Sequence, residues 1–290
     1  MPATPPLVSP AWLAARLSAG PIKVVDASWY LPAMARDTRA EFAARRIPGA
    51  RLFDLDGTDD TSGLPHMLPS AGYFAKCMAS LGLRTGDHVV CYDGKGIFSA
   101  PRLWWMLRTF GHEEASVLDG GLPAWMSEGH PIDEGPPPPP LEGSADDFAA
   151  SLAPGAVWSK EQVLTNMQAP PESKLLVVDA RSKARFEGTV AEARPNCRSG
   201  RIPGSMCLPF TDLLTDDGKM LPPEQLKGVF TAAGVDTSAG LLTSCGSGVT
   251  ASVISLALAQ VGRDTGVPLY DGSWAEWGSD PDAPIETGPA

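Results

Sequence analysis

Cys245 opens the run Cys245-Gly246-Ser247-Gly248-Val249-Thr250. The apolar stretch Leu241-Leu242-Thr243-Ser244 before it reads as a buried strand, and Ala251 to Ala259 after it reads as a buried helix bounded by Gly262. A cysteine at a strand end, followed by a small-residue loop that feeds a helix, lies where backbone N–H groups converge on its sulfur. That arrangement favours a thiolate and any anion held beside it. A free thiol of pKa about 8.5 is only a few per cent ionised at pH 7, so such a cradle points to nucleophilic sulfur chemistry.

The other four cysteines, Cys77, Cys91, Cys197 and Cys207, lack Cys-x-x-Cys spacing. Cys77 and Cys91 fall in apolar periodic segments and are expected to be small buried hydrophobes, while Cys197 lies in a polar, arginine-rich loop and is expected to be exposed. Positive charge is concentrated locally, with Arg181, Arg185, Arg194, Arg198 and Arg201 falling within 21 residues. A planar guanidinium matches a carboxylate by two parallel hydrogen bonds.

The elements that position these groups occur twice. Lys23-Val24-Val25-Asp26-Ala27 returns as Leu176-Val177-Val178-Asp179-Ala180, and Arg46-Ile47-Pro48-Gly49 returns as Arg201-Ile202-Pro203-Gly204. Val89 to Asp93 pairs with Leu241 to Cys245, and Asp119-Gly120 with a later Trp125 pairs with Asp271-Gly272 and Trp277. Each half alternates strand-like and helix-like runs, the pattern of an α/β domain with a mainly parallel central sheet. Helices are expected from Pro10, near Asp37 to Ala44, near Ala71 to Leu81 and from Ala100 to Thr109, with strands at Val24 and Val89. Ser159-Lys160-Glu161-Gln162 resembles a capping box opening the first helix of the second half. Five consecutive prolines, Pro136 to Pro140, mark a semi-rigid connector that reads as a plain spacer. The expected division is residues 1–134, a linker over 135–153, and residues 154–290.

The cysteine loop, the paired Asp-Ala and Ile-Pro-Gly sequences and the two Asp-Gly turns ahead of a tryptophan resemble tandem-domain sulfurtransferases of the rhodanese superfamily. The resemblance implies two rhodanese-like domains, each a mainly parallel central sheet flanked by helices, with the nucleophile only in the second and the active site facing the first. Asp93 stands where Cys245 stands in the repeat, and a carboxylate cannot carry a sulfane sulfur. Within the superfamily, basic residues after the cysteine go with thiosulfate and Gly-Ser-Gly with 3-mercaptopyruvate; this chain has the latter. The resemblance further implies a Ser-His-Asp proton relay of Ser247, His66 and Asp56, with Asp59 or Asp60 as alternative carboxylates. It implies that Arg185 and Arg194 hold the carboxylate and ketone of 3-mercaptopyruvate, and that Gly246, Gly248, Val249 and Thr250 cradle the persulfide. Family prolines are replaced in Ala191-Glu192-Ala193-Arg194. Arg181, Arg198 and Arg201 read as solvated or salt-bridged surface.

The expected reaction is transfer of sulfur from 3-mercaptopyruvate through a Cys245 persulfide to a thiol such as thioredoxin, or to cyanide, with release of pyruvate and no metal or organic cofactor. The alternatives are a thiosulfate:cyanide sulfurtransferase and a non-enzymatic sulfur carrier. A cysteine-dependent phosphatase would need an arginine where Ala251 stands. With 23 Lys and Arg against 34 Asp and Glu, the formal charge of -11 argues against a nucleic-acid or anionic-membrane surface. No apolar run approaches the roughly 20 residues that span a bilayer, and the segment from Met1 to Pro10 resembles neither a signal peptide nor a presequence. The expectation is a cytoplasmic monomer, with a mitochondrial pool left open.

Overall fold

A computed structural model describes residues 4–17, 22–263 and 266–289, so the first three residues of the N-terminal segment lie outside the described ones. The chain divides into two compact units. The first comprises residues 1–59, 68–153 and 214–220, and the second comprises 60–67, 154–213 and 221–290.

In the first unit the strands are β1 (Leu7–Val8), β2 (Ile22–Asp26), β3 (Arg51–Leu52), β4 (His88–Tyr92) and β5 (Ala115–Leu118). They form one parallel sheet in the order β1-β5-β4-β2-β3. The helices are α1 (Pro10–Leu17), α2 (Thr38–Ala44), α3 (Ala71–Ser80), α4 (Ala100–Thr109) and α5 (Gly121–Ser127). The second unit repeats the plan with β6 (Val157–Trp158), β7 (Leu176–Asp179), β8 (Met206–Cys207), β9 (Leu241–Ser244) and β10 (Leu269–Tyr270), ordered β6-β10-β9-β7-β8 and again parallel. Its helices are α6 (Lys160–Met167), α7 (Lys183–Phe186), α8 (Pro223–Ala232), α9 (Ala251–Gln260) and α10 (Ser273–Trp277). These are the two α/β sheets the repeat predicts.

The central strands are continuous apolar runs because helices cover both faces of a parallel sheet. β4 and β9 are almost wholly buried. α9 follows the same logic: eight of its ten residues are buried, so it is apolar nearly all round. The expected capping box is present on α6, with Ser159 and Gln162 bonding each other's backbone N–H groups.

The repeated motifs are structural fasteners. Arg46 lies over the Phe42 ring and exchanges backbone hydrogen bonds with Asp133; Arg201 lies over Phe186 and does the same with Glu286. Trp125 Nε1 donates to the Pro131 carbonyl at 2.7 Å and Trp277 Nε1 to the Pro284 carbonyl at 2.8 Å. Arg201 is therefore a buried tie, against its surface reading. Arg198 is half-buried and also structural, its guanidinium donating to the Gly278 and Ala283 carbonyls.

The connector does more than span a gap. Leu141 N–H donates to the Ser80 carbonyl, and Phe148, 1% exposed, packs on Phe74 and His112. The prolines supply the extended stretch, and one aromatic anchor fixes the segment after them to the first unit. Residues 60–67 and 214–220 each pack with the opposite unit from the one sequence order suggests, and no local pattern signals that exchange.

Candidate active site

Where two neighbouring parallel strands send their following loops in opposite directions, a crevice opens at their carboxyl ends. In the second unit that point lies between β7 and β9. β7 ends at Asp179 and the loop leaving it carries Arg181, and the loop leaving β9 is the cysteine loop. The sheet topology alone brings the nucleophile candidate and the arginine-rich segment together.

Cys245 is 1% exposed. Its N–H donates to Ser273 Oγ at 3.4 Å, its carbonyl accepts from Trp274 N–H at 3.0 Å, and the Gly246 carbonyl accepts from Ala275 N–H at 2.9 Å. The loop's outer side is thus tied to the start of α10, and Gly248 turns it at φ 78°, a left-handed conformation that favours glycine. Ser252 Oγ donates back to the Gly248 carbonyl. Val249 is buried and Thr250 half-buried just before α9.

The first unit shows what this loop does with an anion. Asp93 occupies the cysteine's place, fully buried; its Oδ1 accepts from Lys95 N–H at 2.9 Å, and its Oδ2 accepts from Phe98, Ser99 and Ala100 N–H, each at 2.9 Å. In the register of the repeat those donors correspond to Ser247, Thr250, Ala251 and Ser252. A strand–loop–helix of this shape is a nest for one negative charge.

His66 lies in the segment that packs with the second unit. Its backbone is left-handed at φ 59°, its side chain is buried, and its Nδ1 is 2.8 Å from Ser247 Oγ. These two members of the expected relay are brought together across 181 residues of sequence. Each of the three carboxylates considered for the relay accepts a hydrogen bond. Asp56, in the first unit, accepts from Trp29 Nε1 at 3.2 Å; Asp59 binds Ser70 N–H at 2.7 Å; Asp60 binds Ser62 N–H at 2.8 Å.

Arg185 and Arg194 reach the loop. A Cβ on residue 246 would lie 3.2 Å from Arg185 Nη2, 3.7 Å from its Nη1 and 3.7 Å from Arg194 Nη1, and Arg194 Nη1 donates to the Gly246 carbonyl at 3.5 Å. A side chain there would press on the Arg185 guanidinium. Arg181 corrects its surface reading: its side chain is fully buried, bound to Asp179 Oδ2 at 2.7 Å, to Glu192 Oε1 at 2.9 Å and to the Gly200 carbonyl, with its guanidinium 4.2 Å above the Trp274 ring. Cys197 is likewise half-buried, its thiol against the Trp274 carbonyl, and burial pushes it above the usual thiol range. Cys91 is buried as expected, whereas Cys77 is only half-buried. Glu192, to which the sequence pattern assigns no role, is the group that joins Arg181 and Arg185. Its signal was present: an acidic residue among five arginines, two positions before Arg194.

Among the described residues, no group of three His, Cys, Asp or Glu could hold a metal ion, and no helix is long and apolar enough to cross a membrane.

The chain has known relatives. A model of the rhodanese-like domain matches residues 9–128 and again 159–280. The chain is 43% identical over 300 residues to thiosulfate/3-mercaptopyruvate sulfurtransferase 1, mitochondrial, of Arabidopsis thaliana, covering 97% of this chain and 78% of the relative. It is 45% identical over 278 residues to the 3-mercaptopyruvate sulfurtransferase of Rattus norvegicus, covering 93% and 91%. The crystal structure of SseA from Escherichia coli superposes with a TM-score of 0.80 at 38% identity, over 93% of this chain and 99% of that one. Two domains that match in tandem, with identity sustained along nearly the whole length, place this chain in the rhodanese-like family as a sulfurtransferase enzyme.

Proposed function

We propose that this chain transfers the sulfur of 3-mercaptopyruvate by way of Cys245. The observation that carries the reading is the pair Arg185 and Arg194 poised over Gly246, beside a Gly-Ser-Gly loop that itself offers no cation. A keto acid presents a carboxylate and a ketone to two guanidinium groups. The Cys245 thiolate attacks the donor sulfur, an S–S bond forms, and the C–S electron pair moves into the enolate of pyruvate. Charge grows on the ketone oxygen in that step, and donors already aimed at it lower the barrier by several kcal/mol, about 3 for a single donor. The enolate takes a proton at its methylene carbon and leaves as pyruvate. The Ser247–His66 pair, at 2.8 Å, is the proton route. The persulfide on Cys245, cradled by residues 246–250, then gives its outer sulfur to a thiol such as thioredoxin, or to cyanide. This is ping-pong covalent catalysis, and the chemistry calls for no metal or organic cofactor. In this reading the enzyme acts as a monomer in the cytoplasm; the mitochondrial name of one relative keeps a mitochondrial pool as the alternative.

The test is steady-state pyruvate release from 3-mercaptopyruvate with a thiol acceptor, beside thiosulfate turnover and a Cys245→Ser variant. Pyruvate release that far exceeds thiosulfate turnover and vanishes in the variant supports the reading. Thiosulfate as the better donor would establish the second activity named for the Arabidopsis relative. A persulfide that forms without turnover would make the chain a sulfur carrier.

A further inference from the structure

The substrate-facing arginine does not stand alone. Glu192, its side chain 2% exposed, accepts from Arg185 Nη2 at 2.5 Å and from Nε at 3.1 and 3.2 Å, while its other side takes Arg181, which is itself tied to Asp179. The result is a chain of alternating charge, Asp179–Arg181–Glu192–Arg185, buried at every member but the last, whose side chain is 30% exposed at the loop. With both of those nitrogens engaged, Arg185 turns Nη1 and the outer edge of Nη2 toward Gly246. Arg194 adds a third guanidinium. Three cations and two carboxylates leave the cluster one net positive charge.

The first unit repeats half of this device. Glu41 takes Nε and Nη2 of Arg36 at 2.7 and 2.6 Å, and Arg36 Nη2 donates to the carbonyl of Gly94, the counterpart of Gly246. There a tyrosine, Tyr30, bonds the glutamate where the second unit has Arg181. The glutamate–arginine clamp thus belongs to the fold, and the buried Arg181 belongs to the unit with the cysteine.

We infer that Glu192 determines donor preference: anchored by Arg181, it fixes the Arg185 guanidinium over Gly246 and trims the charge offered at the loop to suit a monoanionic donor. The inference rests on the proposed keto-acid donor, and it makes Glu192 a positioning residue that acts through Arg185. Removing one negative charge beside the site favours a dianion about twice as strongly as a monoanion, because the Coulomb interaction scales with the ligand's charge.

The experiment compares kcat/KM for 3-mercaptopyruvate and for thiosulfate, with cyanide as common acceptor, in the wild type, Glu192→Gln and Glu192→Asp. Glu192→Gln keeps the shape and loses the charge; the thiosulfate to 3-mercaptopyruvate ratio should rise by about tenfold or more, equivalent to about 1.4 kcal/mol. Glu192→Asp keeps the charge and loosens the clamp; both donors should fall while the ratio stays within about threefold, roughly 0.6 kcal/mol. An unchanged ratio in Glu192→Gln, with both donors falling alike, overturns the inference and leaves a structural tie. If Glu192→Gln does not fold, Glu192→Ala, which also removes the charge, is read by the same ratio: a rise of about tenfold supports the inference and an unchanged ratio overturns it. Failure of the donor reading is separately visible, since a wild type that ignores 3-mercaptopyruvate would still show thiosulfate kcat/KM rising in Glu192→Gln if Glu192 limits the charge.

Discussion

Asp93 offers a direct measure of how strongly the loop holds an anion. It is fully buried, and its two oxygens satisfy four backbone N–H groups at 2.9 Å. Asp93→Ala keeps the backbone conformation and deletes the side-chain acceptor those four donors share. A buried donor left without a partner costs about 1–3 kcal/mol. If water enters and satisfies two of the four, the remaining pair at about 2 kcal/mol each gives a loss of about 4 kcal/mol in the first unit. For a domain of this size that lowers the melting temperature by about 8–16 °C. The assay is calorimetric unfolding of wild type and variant, followed by titration with formate, which carries the missing carboxylate. At a formate concentration about 50 times its dissociation constant, about 2.3 kcal/mol should return to the variant and nothing to the wild type. Gluconate at the same ionic strength, too bulky for the space, is the control for salt effects. Destabilisation below about 1 kcal/mol, or recovery as large with gluconate as with formate, would refute the view of this loop as an anion nest, and with it the argument for the persulfide cradle.

Asp26, buried in the first sheet, has its carboxyl pushed up to about 6 by burial, from an ordinary 3.8. The folded state therefore holds its proton more tightly than the unfolded chain, so stability is full below about pH 4, falls as pH rises toward 6 and is level above, a loss of about 3 kcal/mol by linkage. Urea titrations from pH 4 to pH 8 should show that slope in the wild type and lose it in Asp26→Asn; equal slopes would refute it. Arg181→Met leaves Asp179 and Glu192 buried without their shared cation and should cost the second unit about 3–5 kcal/mol in thermal unfolding. Phe148→Ala should cost about 3–5 kcal/mol in the first unit, and a negligible change would return the connector to a plain spacer.

The sheets and the cysteine loop were legible because they are local or repeated, whereas Arg185 and Arg194 stood out only by resemblance. A strand that ends in cysteine, a small-residue loop and an apolar helix are contiguous, and a second copy of the same pattern removes the ambiguity of each weak signal. What the sequence hid depends on contacts between distant segments. Arg181 and Arg201 looked like surface because arginine is rarely buried, and only the folded chain supplies Asp179, Glu192 and the Trp274 and Phe186 rings that make burial tolerable. The pairing of His66 with Ser247 came only from resemblance, since no periodicity links residues so far apart. The exchange of residues 60–67 and 214–220 between the units left no trace in composition or spacing at all.

The two copies show how one fold can hold chemistry in one place and shed it in another. In the first, a carboxylate supplied by the chain fills the nest permanently, the clamp glutamate is met by Tyr30, and Asp26 has the neutral Ser28 beside it where the second copy places the Arg181 guanidinium. That loop is satisfied internally and has nothing left to offer a ligand. In the second copy a cysteine replaces the carboxylate, a buried arginine replaces Ser28, and the glutamate acquires a second cation. Each change moves charge from the fold's own needs toward a bound molecule. The substitution of Ser28 by Arg181 in the repeat is the most consequential after the cysteine, because without Arg181 the glutamate would cancel Arg185 and the site would present too little positive charge to hold an anionic donor beside a thiolate.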